Sequence, residues 1–288
     1  MTIPSSIGRR RGDIIGKMIV REIYARRILN PTRIPGLNYS LNPYVGCAHG
    51  CVYCFADYMR KYTGHREPWG QFVDVKVDAP HLLRREIKKA AQGVIGIGVV
   101  TDPYQPVEKK YEITRRCLEV LRVWKGGVSL LTKSALVLRD VDLLREVEGL
   151  EVGISLSTYN RKFAAELEPR VPPPDERVSV LAKLAKAGIK TRLFLAPLIP
   201  GISDRDMDLE KLFEAARRAR VEEILVDLFN PYPGALSRLL PHVEKLLPEK
   251  GKGLLRSYKK SRMAYGSEMK MLLLRLGWKY DVRVKFAY

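Results

Sequence analysis

The sequence predicts an α/β fold built on parallel strands, and three observations carry the prediction. Short apolar runs of strand length alternate with longer stretches of helical periodicity, and this unit recurs about six times between Tyr39 and Phe229. Two of the runs, Val94–Val100 and Val128–Leu131, are near-continuous in apolar residues and glycine, as strands covered on both faces are. Polar loops stiffened by proline follow such runs, Thr101-Asp-Pro-Tyr-Gln-Pro106 and Asn230-Pro-Tyr-Pro-Gly234 among them. Apolar residues make up 46% of the 288 positions, enough to fill the core of one large domain or two small ones. These patterns alone do not separate a (β/α) barrel from a doubly wound sheet.

The elements follow in order. Residues 1–36 form a basic segment punctuated by Pro4, Pro31 and Pro35. Within it Ile19–Leu29 has the spacing of a short amphipathic helix, whose Arg21, Arg26 and Arg27 suit phosphate or a solvated face. Tyr39–Val45 reads as the first core strand, with a cysteine loop directly after it and a helix over Val52–Tyr62. Val73–Val77 alternates like an edge strand, and Pro80 opens a helix through Ala91. Val94–Val100 is the second core strand. The next helix, Glu108–Trp124, carries Cys117, read as a small buried apolar residue. Val128–Leu131 is the third strand, ending in Thr132-Lys133-Ser134, and Asp140–Val147 a short helix. Glu151–Ser157 is the fourth strand, in which Gly153, Ser155 and Ser157 share one face. That face fills a core poorly but lines a polar cofactor well. Asp175 is positioned to cap a helix that Gly188 ends. Thr191–Ala196 and Glu223–Phe229 are the fifth and sixth strands, around a helix over Asp206–Arg220. Residues 37–234 thus read as the core domain, and residues 235–288 as a basic extension of two helices and a strand, Asp281–Tyr288.

The net charge is +19 and the pI about 9.8. Abundant Lys, Arg and Glu together are a high-temperature composition, but ion-pair networks need both signs and leave the basic excess unexplained. A polyanionic partner explains it, nucleic acid first. Lys250, Lys252, Arg256, Lys259, Lys260 and Arg262 crowd one stretch with Tyr258 and Tyr265 between them. Cations interleaved with rings suit phosphates and stacked bases; the back of a solvated helix has the same composition. No apolar run approaches the roughly 20 residues of a membrane span, and Ile14–Val20 is too short and too broken by Lys17 for a signal peptide. A soluble cytoplasmic protein is expected, and four cysteines in so long and lysine-rich a chain fit a reducing compartment.

Three of those cysteines fall within eight residues, Cys47-Ala-His-Gly-Cys51-Val-Tyr-Cys54. Thiolates this close converge on one centre only if the backbone loops around it, and Gly46 and Gly50 allow that loop. Three cysteines leave an iron–sulfur cube one ligand short of the usual four, so one iron stays open to a cofactor or substrate. With His49 the same residues form a Cys3His set for structural zinc, although such sites usually draw on two separated knuckles.

The C-x3-C-x2-C spacing, with Tyr53 before the last cysteine, resembles the signature of the radical S-adenosylmethionine (SAM) superfamily. Asn42-Pro-Tyr44, Cys51-Val-Tyr-Cys54-Phe-Ala56, Thr101-Asp-Pro-Tyr-Gln-Pro106 and Thr132-Lys-Ser134 resemble the DNA repair photolyase-like subgroup related to spore photoproduct lyase, over about Tyr39 to Gly234. The resemblance implies a partial (β/α)6 TIM-type barrel, open on one side. It implies that Cys47, Cys51 and Cys54 hold a [4Fe–4S] cluster and that SAM chelates the open iron. Reductive cleavage of SAM, driven by a one-electron reductant, then gives a 5′-deoxyadenosyl radical that takes hydrogen from a substrate. By position in the motifs, Tyr53 packs near the adenine, Thr101 and Asp102 lie toward the methionyl amine, and Lys133 pairs with the methionyl carboxylate. Ser155 and Ser157 reach carboxylate or ribose. His49 is expected beside the cluster. Tyr104, Tyr159 and Tyr232 are candidates to stack a base or relay a radical, or else pack at loop mouths.

The chain also departs from the lyase. Gly93-Val-Ile-Gly-Ile-Gly98 lacks the extra cysteine that the lyase uses as hydrogen donor, and Phe55 stands where the lyase carries tyrosine. Thymine-dimer cleavage by that route is therefore not implied. Three functions follow: a radical SAM enzyme acting on nucleic acid, one acting on a peptide or small molecule, and a non-catalytic, metal-stabilised nucleic-acid-binding protein. The possible SAM-binding positions argue against the last.

Overall fold

The computed structural model describes residues 13–15 and 18–288; the basic run Arg9-Arg10-Arg11 lies outside the described residues. The chain divides into two compact units, Met1–Gly50 with Ala56–Val152 and Cys51–Phe55 with Gly153–Tyr288.

The first unit opens with strands Asp13–Ile15 (β1), Met18–Ile23 (β2), Leu29–Pro31 (β3), Tyr39–Leu41 (β4) and Tyr44–Gly46 (β5). A 3₁₀ helix covers Phe55–Tyr62, shorter than the helix expected from Val52, and strand Phe72–Lys76 (β6) and helix Ala79–Glu86 (α1) follow. Then come Ile95–Ile97 (β7), helices Glu108–Tyr111 (α2) and Ile113–Leu121 (α3), strand Val128–Thr132 (β8) and helix Val141–Leu144 (α4). β3, β4, β7 and β8 are neighbours in that order, and β4, β7 and β8 run parallel, as the strand–helix alternation predicts. A second sheet has the order β1-β2-β6-β5.

Three expectations are corrected here. The stretch read as an amphipathic helix from Ile19 is strand β2, in parallel register with β6 from Ile19↔Phe72 to Ile23↔Lys76. Its buried residues, Val20 and Ile23, are three apart and mimic a helical period, but pairing with a distant strand overrides the local signal. Its arginines meet protein: Arg21 lies 3.8 Å from Glu67, and Arg27 Nε donates to the Leu29 carbonyl at 2.7 Å. Tyr39–Val45 is two strands in two sheets, broken at Asn42-Pro43, so the cysteine loop follows β5 and not a core parallel strand. β6 is an internal strand between β2 and β5, with Phe72 to Val75 buried, rather than an edge.

The helix expected over Glu108–Trp124 breaks at Glu112, which takes a left-handed conformation at φ 51°. The buried Glu108 carboxylate enforces the break. It accepts the N–H groups of Thr114 (2.9 Å) and Arg115 (3.1 Å), capping α3 from the preceding helix, and also receives the Tyr44 hydroxyl and Arg139. Cys117 is fully buried as expected, and burial pushes its thiol pKa well up.

The second unit holds most of strand Leu150–Leu156 (β9), within which the division falls, then helices Arg161–Leu167 (α5) and Pro174–Lys186 (α6). Lys190–Leu198 (β10), Asp206–Arg218 (α7), Glu223–Leu228 (β11), Pro233–Leu246 (α8), Gly251–Tyr280 (α9) and Arg283–Phe286 (β12) complete it. β9, β10, β11 and β12 are successive neighbours, with β10–β11 and β11–β12 parallel. α6 begins one residue before Asp175, which sits in the first turn instead of at the cap. α9 is interrupted at Ser261. Phe163, Leu167, Ile199, Phe229, Leu239 and Leu255 form one apolar core with Cys51, Val52 and Tyr53, so the second part of the cysteine loop is anchored in this unit's interior.

Candidate active site

The first part of the cysteine loop is gripped by a single turn. Gly46 takes φ +80°, and a Cβ there would stand 2.4 Å from the Phe72 carbonyl oxygen and 2.8 Å from its ring, so only glycine fits. Gly50 takes φ +62° and its N–H returns to the Cys47 carbonyl at 3.3 Å. From Thr101-Asp-Pro-Tyr-Gln-Pro106, the Thr101 hydroxyl donates to the Gly46 carbonyl at 2.5 Å. The Gln105 carboxamide accepts the Ala48 N–H at 2.8 Å and donates to Thr101 Oγ1 at 3.0 Å. Asp102 Oδ1 accepts the Thr132 hydroxyl (2.6 Å) and the Tyr104 N–H (2.9 Å), and Oδ2 the Lys133 N–H (2.8 Å). These donors, with His49, hold the Asp102 pKa below the usual carboxylate value although burial, the largest influence, pushes it up.

His49 is 2% exposed, and its Nδ1 lies 3.3 Å from Asp102 Oδ2. The contact lacks hydrogen-bond alignment, leaving Nδ1 buried without a hydrogen-bond partner, so it is an ion-pair contact. Burial alone would lower the imidazole pKa; the Asp102 charge and the Cys47 sulfur outweigh it and hold it at about 10. Gly46→Ala is expected to cost more than the about 1–2 kcal/mol of left-handed strain alone, because the methyl also displaces Phe72. A fall in thermal midpoint of at least about 3 °C checks it, at about 2–4 °C per kcal/mol.

The second part of the loop is held by a buried carboxylate. Glu168, 2% exposed, receives the Tyr53 hydroxyl, the Ser157 hydroxyl at 3.2 Å and Arg177 Nη2 at 2.5 Å. Arg177, 1% exposed, also donates to the Ser155 carbonyl at 2.6 Å. Burial first, and the Glu168 charge second, raise the Tyr53 pKa well above 10, so the phenol stays protonated and donates. The Val52 N–H donates to the Leu167 carbonyl at 3.0 Å, and Arg238 Nη2 to the Cys54 carbonyl at 2.6 Å.

Thr101, Asp102, Tyr53 and Ser157, expected near SAM, are all engaged with protein groups around the loop and strand ends. Lys133 is half-buried with its backbone fixed by Asp102. Tyr104 is fully buried, with its hydroxyl on Asp140 at 3.0 Å, the packing alternative rather than an exposed stacking ring. Tyr258 and Tyr265 are likewise turned inward. The Tyr258 hydroxyl donates to the Phe229 carbonyl at 2.5 Å and that of Tyr265 to Asp204 at 3.1 Å, so the expected base-stacking rings of the extension are not presented. Tyr159 lines a surface cleft of about 450 Å³ with Asp175, Lys211 and Arg218, and Tyr232 packs on the second unit's core. Gln105, Glu168 and Arg177, which hold the cysteine loop and its neighbours, were not singled out by the sequence.

Among the described residues, no three His, Cys, Asp or Glu side chains are gathered around one point for a single metal ion. The donor set nevertheless suits an iron–sulfur cluster: no disulfide joins the described cysteines, and three of them stand in one loop held by buried polar contacts. No helix among the described residues is long and apolar enough to cross a membrane.

Known proteins point the same way. An uncharacterized protein of Methanocaldococcus jannaschii is 36% identical over 65% of this chain and 71% of its own length. The radical SAM Nalpha-GlyT isomerase of Pseudomonas phage M6 is 26% identical over 60% of this chain and 35% of its own. A spore photoproduct lyase variant, solved with AdoMet and dinucleoside spore photoproduct bound, superimposes with a TM-score of 0.71 at 16% identity, covering 93% of this chain and 81% of the lyase. At that identity the likeness shows the fold, and it bears out the partial-barrel class expected from the motifs. The model of the Radical SAM superfamily matches residues 41–219, from the end of β4 through α7. The chain belongs to the radical SAM superfamily, whose cofactors are a [4Fe–4S] cluster and SAM.

Proposed function

We propose that the chain is a radical SAM enzyme that acts on nucleic acid, with Cys47, Cys51 and Cys54 as its cluster ligands. When bound, the cluster and SAM supply reductive cleavage of the sulfonium and a 5′-deoxyadenosyl radical for hydrogen abstraction. The chain's own residues do the positioning. Thr101, Asp102 and Gln105 fix the loop around Cys47, while Glu168 and Arg177 fix Tyr53 between Cys51 and Cys54. Lys133, held at its backbone by Asp102, is assigned to the methionyl carboxylate, and Ser155, in β9, to the ribose side.

The observation that carries the nucleic-acid reading is helix α9. It has eight Lys and Arg residues and one acid, Glu268. Arg256, Lys259 and Lys260 are exposed and make no ion pair among the described residues. An unneutralised row of cations suits phosphates. The lyase of similar fold is seen with a dinucleoside photoproduct bound, which supports the same substrate class.

Binding of a labelled duplex or single strand at rising salt tests the substrate. A steep decline is expected, and the triple change Arg256→Gln, Lys259→Gln, Lys260→Gln should flatten the slope of log K against log salt by up to about 2.7 on duplex DNA, at about 0.9 per phosphate contact. A weak, salt-insensitive response in the wild type would move the reading to a peptide or small-molecule substrate.

A further inference from the structure

We propose that Gln105 is the positioning residue for the first part of the cysteine loop, setting the backbone on either side of Cys47 before any cluster binds. The inference rests on reading Cys47 as a cluster ligand.

The carboxamide is fully buried and its orientation is dictated by its partners. Oε1 accepts the Ala48 N–H at 2.8 Å; Nε2 faces Thr101 Oγ1 at 3.0 Å and the Gly46 carbonyl at 3.4 Å. Only a side chain with a donor and an acceptor on one planar group meets both sides at once. The residue before Cys47 is thereby held through its carbonyl and the residue after it through its N–H, while the Cys47 side chain takes no part. Phe72 backs Gly46 from the other side. Gln105 is itself immobilised: its N–H returns to the Asp102 carbonyl at 3.3 Å, its carbonyl accepts the Glu108 N–H at 2.9 Å, and Pro103 and Pro106 stiffen the turn.

Two consequences follow. The contacts that order the loop come from protein groups, so a loop held this way loses less conformational entropy on binding the cluster than a free loop would. The Ala48 N–H is also spent on Gln105 and is withheld from cluster sulfur. Hydrogen bonds to sulfur are among the factors that set a cluster's potential, so the side chain at 105 acts on the cluster as well as on the fold.

Gln105→Glu keeps the shape and removes both donations, placing a carboxylate oxygen against the Thr101 and Gly46 oxygens. The test measures amide hydrogen exchange at Ala48 in the metal-free protein, iron and sulfide per chain after anaerobic reconstitution at limiting iron, and the electron paramagnetic resonance spectrum of the reduced cluster with and without SAM. A protected Ala48 amide is expected in the wild type. In Gln105→Glu, exchange should quicken at least about tenfold, cluster content should fall by about tenfold, the lower end for a ligand-supporting residue, and the remaining signal should change shape. If the variant does not fold, as judged by circular dichroism, Gln105→Met preserves volume without charge and is scored by the same three readouts. A variant that folds and matches the wild type in exchange, loading and spectrum overturns the inference, as does an unprotected Ala48 amide in the wild type. Failure of the wild type to take up iron would instead overturn the reading of Cys47 as a ligand.

Discussion

Glu168→Ala should lower the thermal midpoint by about 10 °C and reduce the capacity of the protein to hold a cluster. The first effect follows from burial. Glu168 and Arg177 are 2% and 1% exposed, and truncating the carboxylate leaves the guanidinium, among the described residues, with the Ser155 carbonyl alone and takes the Glu168 acceptor from the Tyr53 and Ser157 hydroxyls. Breaking one side of a buried pair costs about 3–5 kcal/mol, and each degree of midpoint in a chain of this size reports about 0.3 kcal/mol. The second effect follows from the position of Tyr53 between two cysteines: without Glu168 it loses a buried hydrogen bond that helps to fix it. The control is the double change Glu168→Leu, Arg177→Met. Replacing a whole buried pair with apolar groups is often close to neutral, so the double variant should recover much of the stability while still lacking the Tyr53 contact. Differential scanning calorimetry separates the two effects from iron analysis. A Glu168→Ala variant within about 1 kcal/mol of wild type would mean that water reaches the site and that the network is not the clamp described.

Local chemistry was readable from the chain and distant partnership was not. The cysteine loop is legible because its ligands lie within eight residues and the glycines at 46 and 50 have no other plausible use. The Thr101–Pro106 turn is legible as a site-end loop because a buried strand delivers it. Gln105 in that turn, however, becomes a site residue only through a contact 57 positions away, and Glu168 only through one 115 away. Nothing around Leu167-Glu168-Pro169 distinguishes this carboxylate from a solvated one until its burial is known. The same limit explains strand β2, which the Val20 and Ile23 spacing disguised as a helix until its ladder with β6 was seen. It also explains the tyrosines. Interleaving with cations suggested a stacking surface, but Tyr258 and Tyr265 sit on the inward side of α9, where a ring with a polar tip finds both apolar packing and a hydrogen-bond acceptor.

Cys51→Ala should abolish formation of 5′-deoxyadenosine after anaerobic reconstitution with iron and sulfide, reduction and addition of SAM, while the metal-free protein stays folded. Cys51 is 6% exposed, in the second unit's core. Replacing the CH2–SH side chain with a methyl removes one heavy atom from packed surroundings and should cost about 1 kcal/mol, a few degrees at most. The metal-bound protein behaves differently. Cluster binding is folding free energy, so wild type should gain thermal stability on reconstitution and Cys51→Ala should gain little. Iron and sulfide content, the visible absorbance of the cluster and the deoxyadenosine yield should fall together, because two cysteines cannot hold a cube that three barely complete. Product from wild type alone assigns the radical chemistry to this loop and makes damaged or modified DNA and RNA the next substrates to screen. Zinc in the purified wild type with no product would favour the Cys3His alternative, with His49 as the fourth ligand. Equal product from both proteins would place the cluster elsewhere and sink the assignment of Cys51.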